Sequence, residues 1–361
     1  MRHVKTGVNR RRLFVFATGQ RIKMKVLLGW HATDEELATV RQSLPGAMVA
    51  VPRPEPYLSR FDLTLESIAD TLADVDAFVG YVLPEGSLDI AKNLKLICWM
   101  HAGCDELDLA RLKTLGVQVT NLRGANSIAV AEHAMAIILG LAKRLIAKHQ
   151  ACINALPVPI YDAESRSAML HGRTLGIIGL GQIGSAIAQR AKAFDMRVLG
   201  VRLHPELGAG VADAVFGVDQ MAQVLGNSDY VVLATPITRK TNSFFGATEI
   251  DAMKSGAFLV NVARGNLIQE RPLSDALKSG KIAGYGSDVW WTYNNAFPAS
   301  YHFPVPSRTG IQRMPNVIGT GDQGANADDV LDRNIARSVE SMLEFQNDKP
   351  LTWKIDLDLG Y

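Results

Sequence analysis

Cysteine is scarce in this sequence. The 361 residues contain three cysteines, Cys98, Cys104 and Cys152. Their spacing matches no paired zinc-ligand pattern, and an odd count cannot form a complete set of disulfides. We therefore predict no metal site, no structural disulfide and a location in a reducing compartment, the cytoplasm. Each cysteine is expected to behave as a small buried apolar side chain.

Long hydrophobic runs are missing as well. Hydrophobic residues make up 47% of the chain, yet no stretch reaches the ~18 consecutive apolar residues that can span a bilayer. We therefore expect a soluble protein with no membrane partner. Because a domain usually contains about 100–200 residues, the length predicts two domains, each with its own core.

Acidic residues are absent from residues 1–23, which contain seven lysines and arginines. The rest of the chain carries 31 basic and 36 acidic residues, so its net charge is −5, whereas the whole sequence has +2. A mildly acidic globular part argues against a nucleic-acid partner. We interpret residues 1–23 as a disordered basic extension and expect the folded chain to begin at Met24. An organellar presequence rich in arginine is the alternative interpretation.

Buried strands and amphipathic helices alternate along the remaining sequence. This order predicts an α/β fold, with doubly wound parallel sheets and helices on both faces. One long helix over 126–150 is so evenly apolar that it needs burial on several sides, which a homodimer partner would provide. Six strands match a dinucleotide-binding domain: 174–178, 197–201, 230–234, 258–262, 282–287 and 316–319. Earlier strands are predicted over 25–28, 77–82 and 96–100, and further helices over 34–43, 107–115 and 328–346.

A glycine-rich turn follows the apolar run 174–178. Gly179, Gly181 and Gly184 have the spacing G-x-G-x-x-G, and a helical pattern begins directly after them. In this context the first glycine permits a tight turn, the second lets a pyrophosphate approach the backbone, and the third lets the helix pack closely on the strand. Unpaired N–H groups at the helix N-terminus would bind the pyrophosphate. We therefore predict a dinucleotide site here.

Arg264 follows the apolar strand 258–262. A side chain at the carboxyl end of a buried parallel strand points into the crevice where such sheets bind ligands. The planar guanidinium can bind a carboxylate through two parallel hydrogen bonds. We interpret Arg264 as a ligand of a substrate carboxylate, and a surface arginine that caps a helix is the alternative.

Six stretches resemble, in the same order, those of the D-isomer-specific 2-hydroxyacid dehydrogenase family. They are 101–105, 131–133, the glycine turn, 253–265, 287–289 and 315–318. The resemblance implies a Rossmann-type nucleotide domain, residues 123–321, inserted in a flavodoxin-like substrate domain formed by 24–122 and 322–361. Catalysis would take place between the two domains.

The resemblance also implies roles for individual residues. Arg264 would bind the substrate carboxylate and polarise the 2-oxo group, and the backbone N–H groups of Ala102 and Gly103 would bind the same carboxylate. Asp288 would accept a hydrogen bond from the nicotinamide carboxamide, although a helix cap is an alternative role for it. The other implied cofactor contacts are Gly179, Gly181, Gln182, Ile183, Gly184, Pro236 and Val262.

The choice between NAD and NADP depends on the residue after the second strand of the nucleotide domain. NAD-binding folds place an acidic residue there to bind the ribose 2′-hydroxyl. This chain has Arg202 at that position, and an arginine accommodates a 2′-phosphate. We therefore predict a preference for NADP. In the alternative, an NAD enzyme, Arg202 would stack on the adenine and Glu206 would bind the ribose.

The catalytic histidine and glutamate of the family are both replaced. Asp322 stands where the resemblance implies the acid/base histidine, and Tyr293 stands where it implies the orienting glutamate. A developing alkoxide needs a proton, and an imidazole is well suited to deliver it near neutral pH. The candidate proton donors are Asp322, Tyr293 and His101. We assign packing to His133 and a surface loop to His302.

These observations predict an oxidoreductase that interconverts a 2-oxo acid and a D-2-hydroxy acid with NADP(H). NAD is the alternative cofactor. The alternative function is a regulatory or sensor protein that binds the nucleotide and a carboxylate but has lost turnover. Trp290 and Trp291 are expected either to line the substrate cleft or to pack in the core.

Overall fold

A computed structural model describes residues 24–57, 59–163, 165–293, 304–305 and 307–361. The predicted extension 1–23, the side chain of Tyr293 and the loop that contains His302 lie outside the described residues. The chain divides into two compact units. Of the described residues, one unit comprises 24–100 together with Arg111–Thr120 and Ser338–Lys354, and the other comprises His101–Ala110, Asn121–Arg337 and Ile355–Tyr361.

The first unit is built on a five-stranded sheet with the order β2-β1-β3-β4-β5. The registers that join β1 to β2, β1 to β3 and β3 to β4 are all parallel. This strand order is that of flavodoxin-like folds, which confirms the predicted class. The elements are β1 Met24–Leu28, α1 Asp34–Ser43, β2 Ala47–Ala50, α2 Leu65–Leu72, β3 Ala77–Gly80, α3 Ser87–Ile90, β4 Leu96–Trp99, α4 Leu109–Leu115 and β5 Gln118–Asn121.

Local sequence explains where the helices of this unit begin. Thr33 forms a capping box with Glu36 at the start of α1, and Thr64 accepts a hydrogen bond from the backbone of Ser67 at the start of α2. Such caps satisfy N–H groups that have no partner inside the helix. The short strands β2 and β5 and helix α2 were not predicted, because four to eight residues carry too little periodicity to be recognised.

The second unit is built on a seven-stranded sheet with the order β14-β11-β10-β9-β6-β7-β8. All six neighbouring pairs are parallel. Six of these strands, β8-β7-β6-β9-β10-β11, have the doubly wound order 3-2-1-4-5-6, and β14 adds a strand at one edge. The elements are α5 Ser127–Lys143, α6 Leu145–Ile153, β6 Thr174–Ile178, α7 Gln182–Lys192, β7 Arg197–Val201, β8 Ala214–Phe216, α8 Met221–Asn227, β9 Tyr230–Leu233, α9 Ala247–Ala252, β10 Ala257–Asn261, α10 Glu270–Ser279, β11 Ile282–Ser287, β12 Thr292–Tyr293, β13 Pro304–Val305 and β14 Val317–Gly319. The last helix, α11 Val330–Gln346, has residues in both units, because the first unit resumes at Ser338.

Two predictions about this unit were wrong. The sheet has seven strands rather than six, because the three-residue strand β8 pairs with β7. The single helix predicted over 126–150 is two helices, since Arg144 adopts a left-handed conformation, with φ of 53°, that ends α5. Helix α5 contributes ten buried residues, whereas α6 contributes none.

The cysteines are only partly as predicted. Cys98 and Cys104 are buried, but Cys152 is exposed, so the expectation of burial was wrong for Cys152. Burial raises the pKa of the Cys98 and Cys104 thiols to about 12, which keeps both in the unreactive thiol form. Among the helices of the described residues, none has the length and apolar character that a membrane span requires.

Candidate functional site

The glycine turn lies at the carboxyl end of β6, where α7 begins. Gly179 has φ of 104°, and a Cβ there would lie 2.6 Å from the carbonyl carbon and oxygen of Ala234. A Cβ on Gly184 would overlap the carbonyl oxygen of Gly179, whereas a Cβ on Gly181 would meet nothing within 4 Å. The first and third glycines are therefore required by close packing, and the second leaves open space.

The N-terminus of α7 is free to bind an anion. Its N-cap is Gly181, which has no side chain to cap the helix. Gln182 and Ile183 form its first turn, with Gln182 exposed and Ile183 half-buried. Helix N-termini with unpaired N–H groups bind phosphate groups. The residues present at this turn therefore fit a dinucleotide pyrophosphate.

The other predicted cofactor residues follow the neighbouring strands. Arg202 comes directly after β7, Pro236 follows β9, Val262 follows β10 and Asp288 follows β11. The carboxyl ends of parallel strands lie at one edge of a sheet, and nucleotide-binding sheets bind their ligands there. The second unit therefore carries the glycine turn and these four residues along the same edge.

Arg202 and Glu206 differ in how they are held. The backbone N–H of Arg202 donates to the carbonyl of Phe216, and its Nη1 donates to the carbonyl of Gly208 at 3.3 Å. Glu206 is 68% exposed, and its Oε1 lies 3.1 Å from Nδ1 of His204. Both side chains lie on the segment that follows β7. Their positions are therefore compatible with either predicted cofactor, NADP bound by Arg202 or NAD bound by Glu206.

Arg264 is bound by a carboxylate of its own chain. It follows β10, and its Nε lies 3.2 and 3.1 Å from the two carboxylate oxygens of Asp105. Its Nη2 lies 3.1 Å from Asp105 Oδ1, and its Nη1 donates to the carbonyl of Ala263 at 3.1 Å. Burial alone would lower the pKa of Arg264, but Asp105, with further contributions from Glu106 and Asp322, raises it above its usual value.

Gly103 lies directly against this ion pair. A Cβ on Gly103 would lie 2.5 Å from Arg264 Nη2 and 2.8 Å from Asp105 Oδ1. The carbonyl of the preceding residue, Ala102, accepts a hydrogen bond from Asn121 Nδ2 at 2.8 Å, which holds the loop in place. The structure therefore brings together Arg264 and the two loop residues that the sequence assigned to the same carboxylate.

The candidate proton donors have different surroundings. His101 lies at the start of the loop, and its Nε2 is 3.8 Å from Glu106 Oε2, which is an ion-pair distance rather than a hydrogen bond. Asp322 has φ of 56°, and its backbone N–H donates to the carbonyl of Asp288 at 2.6 Å. Asp322 lies close enough to Arg264 to raise the pKa of the guanidinium. The backbone of Tyr293 belongs to β12.

Asp288 is 4% exposed and accepts hydrogen bonds from the segment that carries Asp322. Thr320 Oγ1 donates to its carboxylate at 2.6 Å, and the backbone N–H groups of Gln323 and Gly324 donate at 2.8 Å each. His133 Nε2 lies 2.9 Å from Thr320 Oγ1 and 3.4 Å from Asp288 Oδ1. Burial would raise the pKa of Asp288, but these donors together lower it below its usual value.

This network bears on two sequence interpretations. His133 was assigned to packing, and here its imidazole faces Thr320 and Asp288. The assignment of Asp288 to the nicotinamide carboxamide stays a prediction, since its carboxylate already binds three donors of its own chain. A carboxylate has about four lone-pair positions, so a further donor can still be accepted.

The two tryptophans bind backbone carbonyls. Trp290 is 3% exposed, and its Nε1 donates to the carbonyl of Thr320 at 2.6 Å. Trp291 Nε1 donates to the carbonyl of Ile268 at 2.7 Å. The burial of Trp290 and its hydrogen bond to Thr320 favour a role in core packing over a position in the wall of the substrate cleft.

Sequence reasoning assigned no role to Asp105, Glu106 or Thr320. Asp105 was part of a quoted motif, but its partner Arg264 is 159 residues away in the chain. No local pattern reveals an ion pair of that separation. The only signal was the presence of two acidic residues directly after the loop that was expected to bind an anion.

Comparisons with known proteins agree with this geometry. Residues 135–321 match the model of the D-isomer specific 2-hydroxyacid dehydrogenase NAD binding domain. The D-3-phosphoglycerate dehydrogenase of Methanocaldococcus jannaschii is 33% identical over 272 residues, which are 74% of this chain and 49% of that protein. The chain thus spans about half the length of that relative.

Two further known proteins are similar to this chain over most of both sequences. The glyoxylate reductase of Thermococcus onnurineus is 32% identical over 287 residues, 75% of this chain and 81% of the reductase. The crystal structure of D-lactate dehydrogenase from Aquifex aeolicus, complexed with NAD and lactic acid, superposes with a TM-score of 0.71 at 25% identity. It covers 90% of this chain and 96% of the dehydrogenase. This chain therefore belongs to the D-isomer-specific 2-hydroxyacid dehydrogenase family, whose NAD-binding domain it carries.

Proposed function

We propose that this protein interconverts a 2-oxo acid and a D-2-hydroxy acid by hydride transfer with NADP(H). The observation that carries the proposal is the position of Arg264 beside Gly103, at the sheet edge that also bears the glycine turn. Known relatives include a glyoxylate reductase and a D-lactate dehydrogenase. An arginine at this edge supplies the fixed positive charge that a substrate carboxylate needs.

The chain's own residues would bind and orient the substrate. Arg264 donates to the carboxylate and polarises the 2-oxo group, which lowers the cost of the negative charge that develops on that oxygen. The backbone N–H groups of Ala102 and Gly103 bind the same carboxylate. The glycine turn and the N-terminus of α7 hold the pyrophosphate, and the bound nicotinamide supplies the hydride.

We propose NADP as the preferred cofactor because Arg202 follows β7. A guanidinium there pairs with a 2′-phosphate, whereas Glu206 would repel it. Replacing Arg202 with alanine should raise the KM for NADPH about 10-fold or more while the KM for NADH changes little. The exposed Arg271 of α10 provides a matched control, since Arg271→Ala should alter neither value. An equal loss with both cofactors would contradict the role of Arg202.

We propose His101 as the proton donor, ahead of Asp322 and Tyr293. Imidazole is the side chain that most often serves as a general acid near neutral pH. Glu106 lies 3.8 Å from His101 Nε2 and can orient a protonated ring. This pair would replace the histidine and glutamate that are missing at 322 and 293.

The proton donor can be identified by comparing pH profiles. His101→Gln should lower kcat by about 100-fold and remove the pH dependence of kcat that the wild type shows. Asp322→Asn and Tyr293→Phe should keep the shape of the wild-type profile. If Asp322→Asn or Tyr293→Phe alone abolishes the pH dependence, the proton comes from that residue and not from His101.

The oligomeric state and the compartment are also proposals. We propose a homodimer because helix α6 buries none of its residues and the segment that follows it is apolar and exposed. Exposed apolar surface of this extent usually marks a protein interface. The exposed apolar residues of α6 and the following segment are Leu145, Ile146, Ile153, Leu156, Ile160 and Tyr161.

We propose the cytoplasm as the location of the protein.

The second candidate function is a sensor that binds NADP(H) and a carboxylate without turnover. The feature that favours it is Asp322, which stands where the resemblance implies the family's acid/base histidine. If this function is correct, the purified wild type should bind NADPH but reduce no 2-oxo acid. Restoring both residues, as Asp322→His with Tyr293→Glu, should then raise a measurable rate.

The deciding experiment measures NADPH oxidation by the wild type with glyoxylate, hydroxypyruvate and phenylpyruvate, and with NADH in parallel. Turnover that falls at least ~100-fold in Arg264→Ala but not in Arg271→Ala would support the dehydrogenase. Tight NADPH binding without turnover of any 2-oxo acid would contradict it and favour the sensor.

A further inference from the structure

Asp105 holds one edge of the Arg264 guanidinium. Its two carboxylate oxygens accept from Nε, and Oδ1 also accepts from Nη2, all at 3.1–3.2 Å. Charge-assisted bonds of this side-on type fix the plane of a guanidinium as well as its position. Both residues belong to the second compact unit, so the contact is internal to that unit.

The remaining N–H groups of Arg264 can be counted. A guanidinium has five N–H groups in a rigid plane. Asp105 accepts from Nε–H and from one N–H of Nη2, and the carbonyl of Ala263 accepts from one N–H of Nη1. Among the residues that the structure describes, no hydrogen bond is made to the last two N–H groups. By this count one of them belongs to each terminal nitrogen, Nη1 and Nη2.

We propose that Asp105 is a positioning residue, which fixes Arg264 so that its terminal N–H pair faces the carboxylate of the substrate. This inference rests on the proposed function. A carboxylate that approaches end-on meets two parallel N–H donors without displacing Asp105. Because both constraints, Asp105 and Ala263, are already in place, little side-chain entropy is lost when the substrate binds.

A competing model treats Asp105 as an internal substitute for the substrate carboxylate. In that model Asp105 must leave Arg264 before an anion can bind, and its removal would strengthen anion binding. The geometry favours positioning, because Asp105 occupies the Nε edge, and among the described residues one N–H on each terminal nitrogen keeps no acceptor. Gly103 supports the same arrangement, since it allows the loop backbone to lie against Nη2.

Anion binding can be measured separately from turnover. Oxamate is an analogue of a 2-oxo acid that cannot accept a hydride, and its Kd for the NADPH-loaded protein can be determined by calorimetry. Asp105→Ala should raise this Kd about 10-fold or more, and Asp105→Asn, which keeps one acceptor oxygen, should raise it less. The Kd for NADPH should stay unchanged in both variants. Asp108→Ala, an exposed acidic residue nearby, is the matched control.

The kinetic parameters separate positioning from a purely structural role. Loss of orientation should lower kcat/KM for the 2-oxo acid by about 10–100-fold, while the thermal midpoint of Asp105→Ala stays close to that of the wild type. Equal or tighter oxamate binding by Asp105→Ala would overturn the positioning role alone. A wild type that binds no oxamate and reduces no 2-oxo acid would instead overturn the proposed function, and the inference with it.

A chemical probe tests the restraint itself without any ligand. Phenylglyoxal modifies arginine side chains, and peptide mass spectrometry reports the rate at Arg264. The wild type should react slowly because Asp105 occupies Nε and Nη2, and Asp105→Ala should react several-fold faster. Equal rates in the wild type, Asp105→Ala and Asp108→Ala would show that Asp105 does not restrain Arg264, which would overturn the proposal.

Discussion

A single methyl group on Gly103 should impair catalysis much more than it impairs folding. A Cβ at this position would lie 2.5 Å from Arg264 Nη2, whereas real Cβ contacts essentially never fall below 3.0 Å. The guanidinium must therefore retreat by roughly half an ångström or more. Nη2 is the far end of a long flexible side chain, so its retreat costs the fold little.

The same retreat should be costly for the substrate. Moving Arg264 breaks its alignment with Asp105 and withdraws the terminal N–H pair from the carboxylate. A displacement near 1 Å can reduce a rate about 100-fold, which corresponds to about 2.7 kcal/mol in the activation free energy. We therefore expect Gly103→Ala to lower kcat/KM for the best 2-oxo acid by about 10–100-fold.

Two assays and one control separate these effects. Steady-state kinetics give kcat/KM, and urea denaturation gives the free energy of unfolding, which should change by less than about 1 kcal/mol. Gly226→Ala is the control, because its Cβ would meet only the carbonyl oxygen of Ala252 at an ordinary 3.5 Å. Wild-type kinetics in Gly103→Ala would refute the reasoning. A loss of stability above about 3 kcal/mol would also refute it, because the strain would then lie in the backbone.

Three further predictions follow from burial and charge. Gly184→Ala should destabilise the protein by about 1–3 kcal/mol in urea and weaken NADPH binding, because its Cβ would meet a backbone oxygen that cannot retreat; unchanged stability would contradict this. The pKa of Asp288 is lowered in the folded protein. The ionised carboxylate therefore stabilises the fold at pH values above the ordinary aspartate pKa of about 4, and this stabilisation is lost as the pH falls below that value. The difference in unfolding free energy between the wild type and Asp288→Asn should therefore shrink below about pH 4, and a constant difference from pH 7 to pH 3 would argue against it. A thiol reagent at pH 8 should modify Cys152 rapidly and reach Cys98 and Cys104 only on unfolding; fast reaction of all three would be incompatible with their burial.

The elements predicted most accurately were those with strong local signals. Strands 174–178 and 197–201 and helix 34–43 have the bounds that the structure shows, because an apolar run or a capped amphipathic pattern encodes each of them locally. The strand β8 and the break at Arg144 were missed. β8 has only three half-buried residues, and Arg144 carries no residue-type signal for a left-handed conformation, which glycine usually provides.

The candidate site shows the same division. The glycine turn was recognisable because its G-x-G-x-x-G spacing between a strand and a helix is a local pattern, although the backbone that approaches Gly179 belongs to Ala234, after β9. The network around Asp288 was not recognisable, because its donors come from α5 and from the segment after β14. A residue's role in such a network depends on neighbours that are remote in the chain.

The fold class, the family and the positions of Arg264 and the glycine turn were predictable from the amino-acid sequence alone. These features follow from periodicity, residue type and short-range spacing, which act over a few residues. The folded structure was needed to show that Asp105 occupies one edge of Arg264 and that Gly103 packs against both. A contact across 159 residues arises from the folded path of the chain, and a hydrogen bond requires atoms placed to within a few tenths of an ångström.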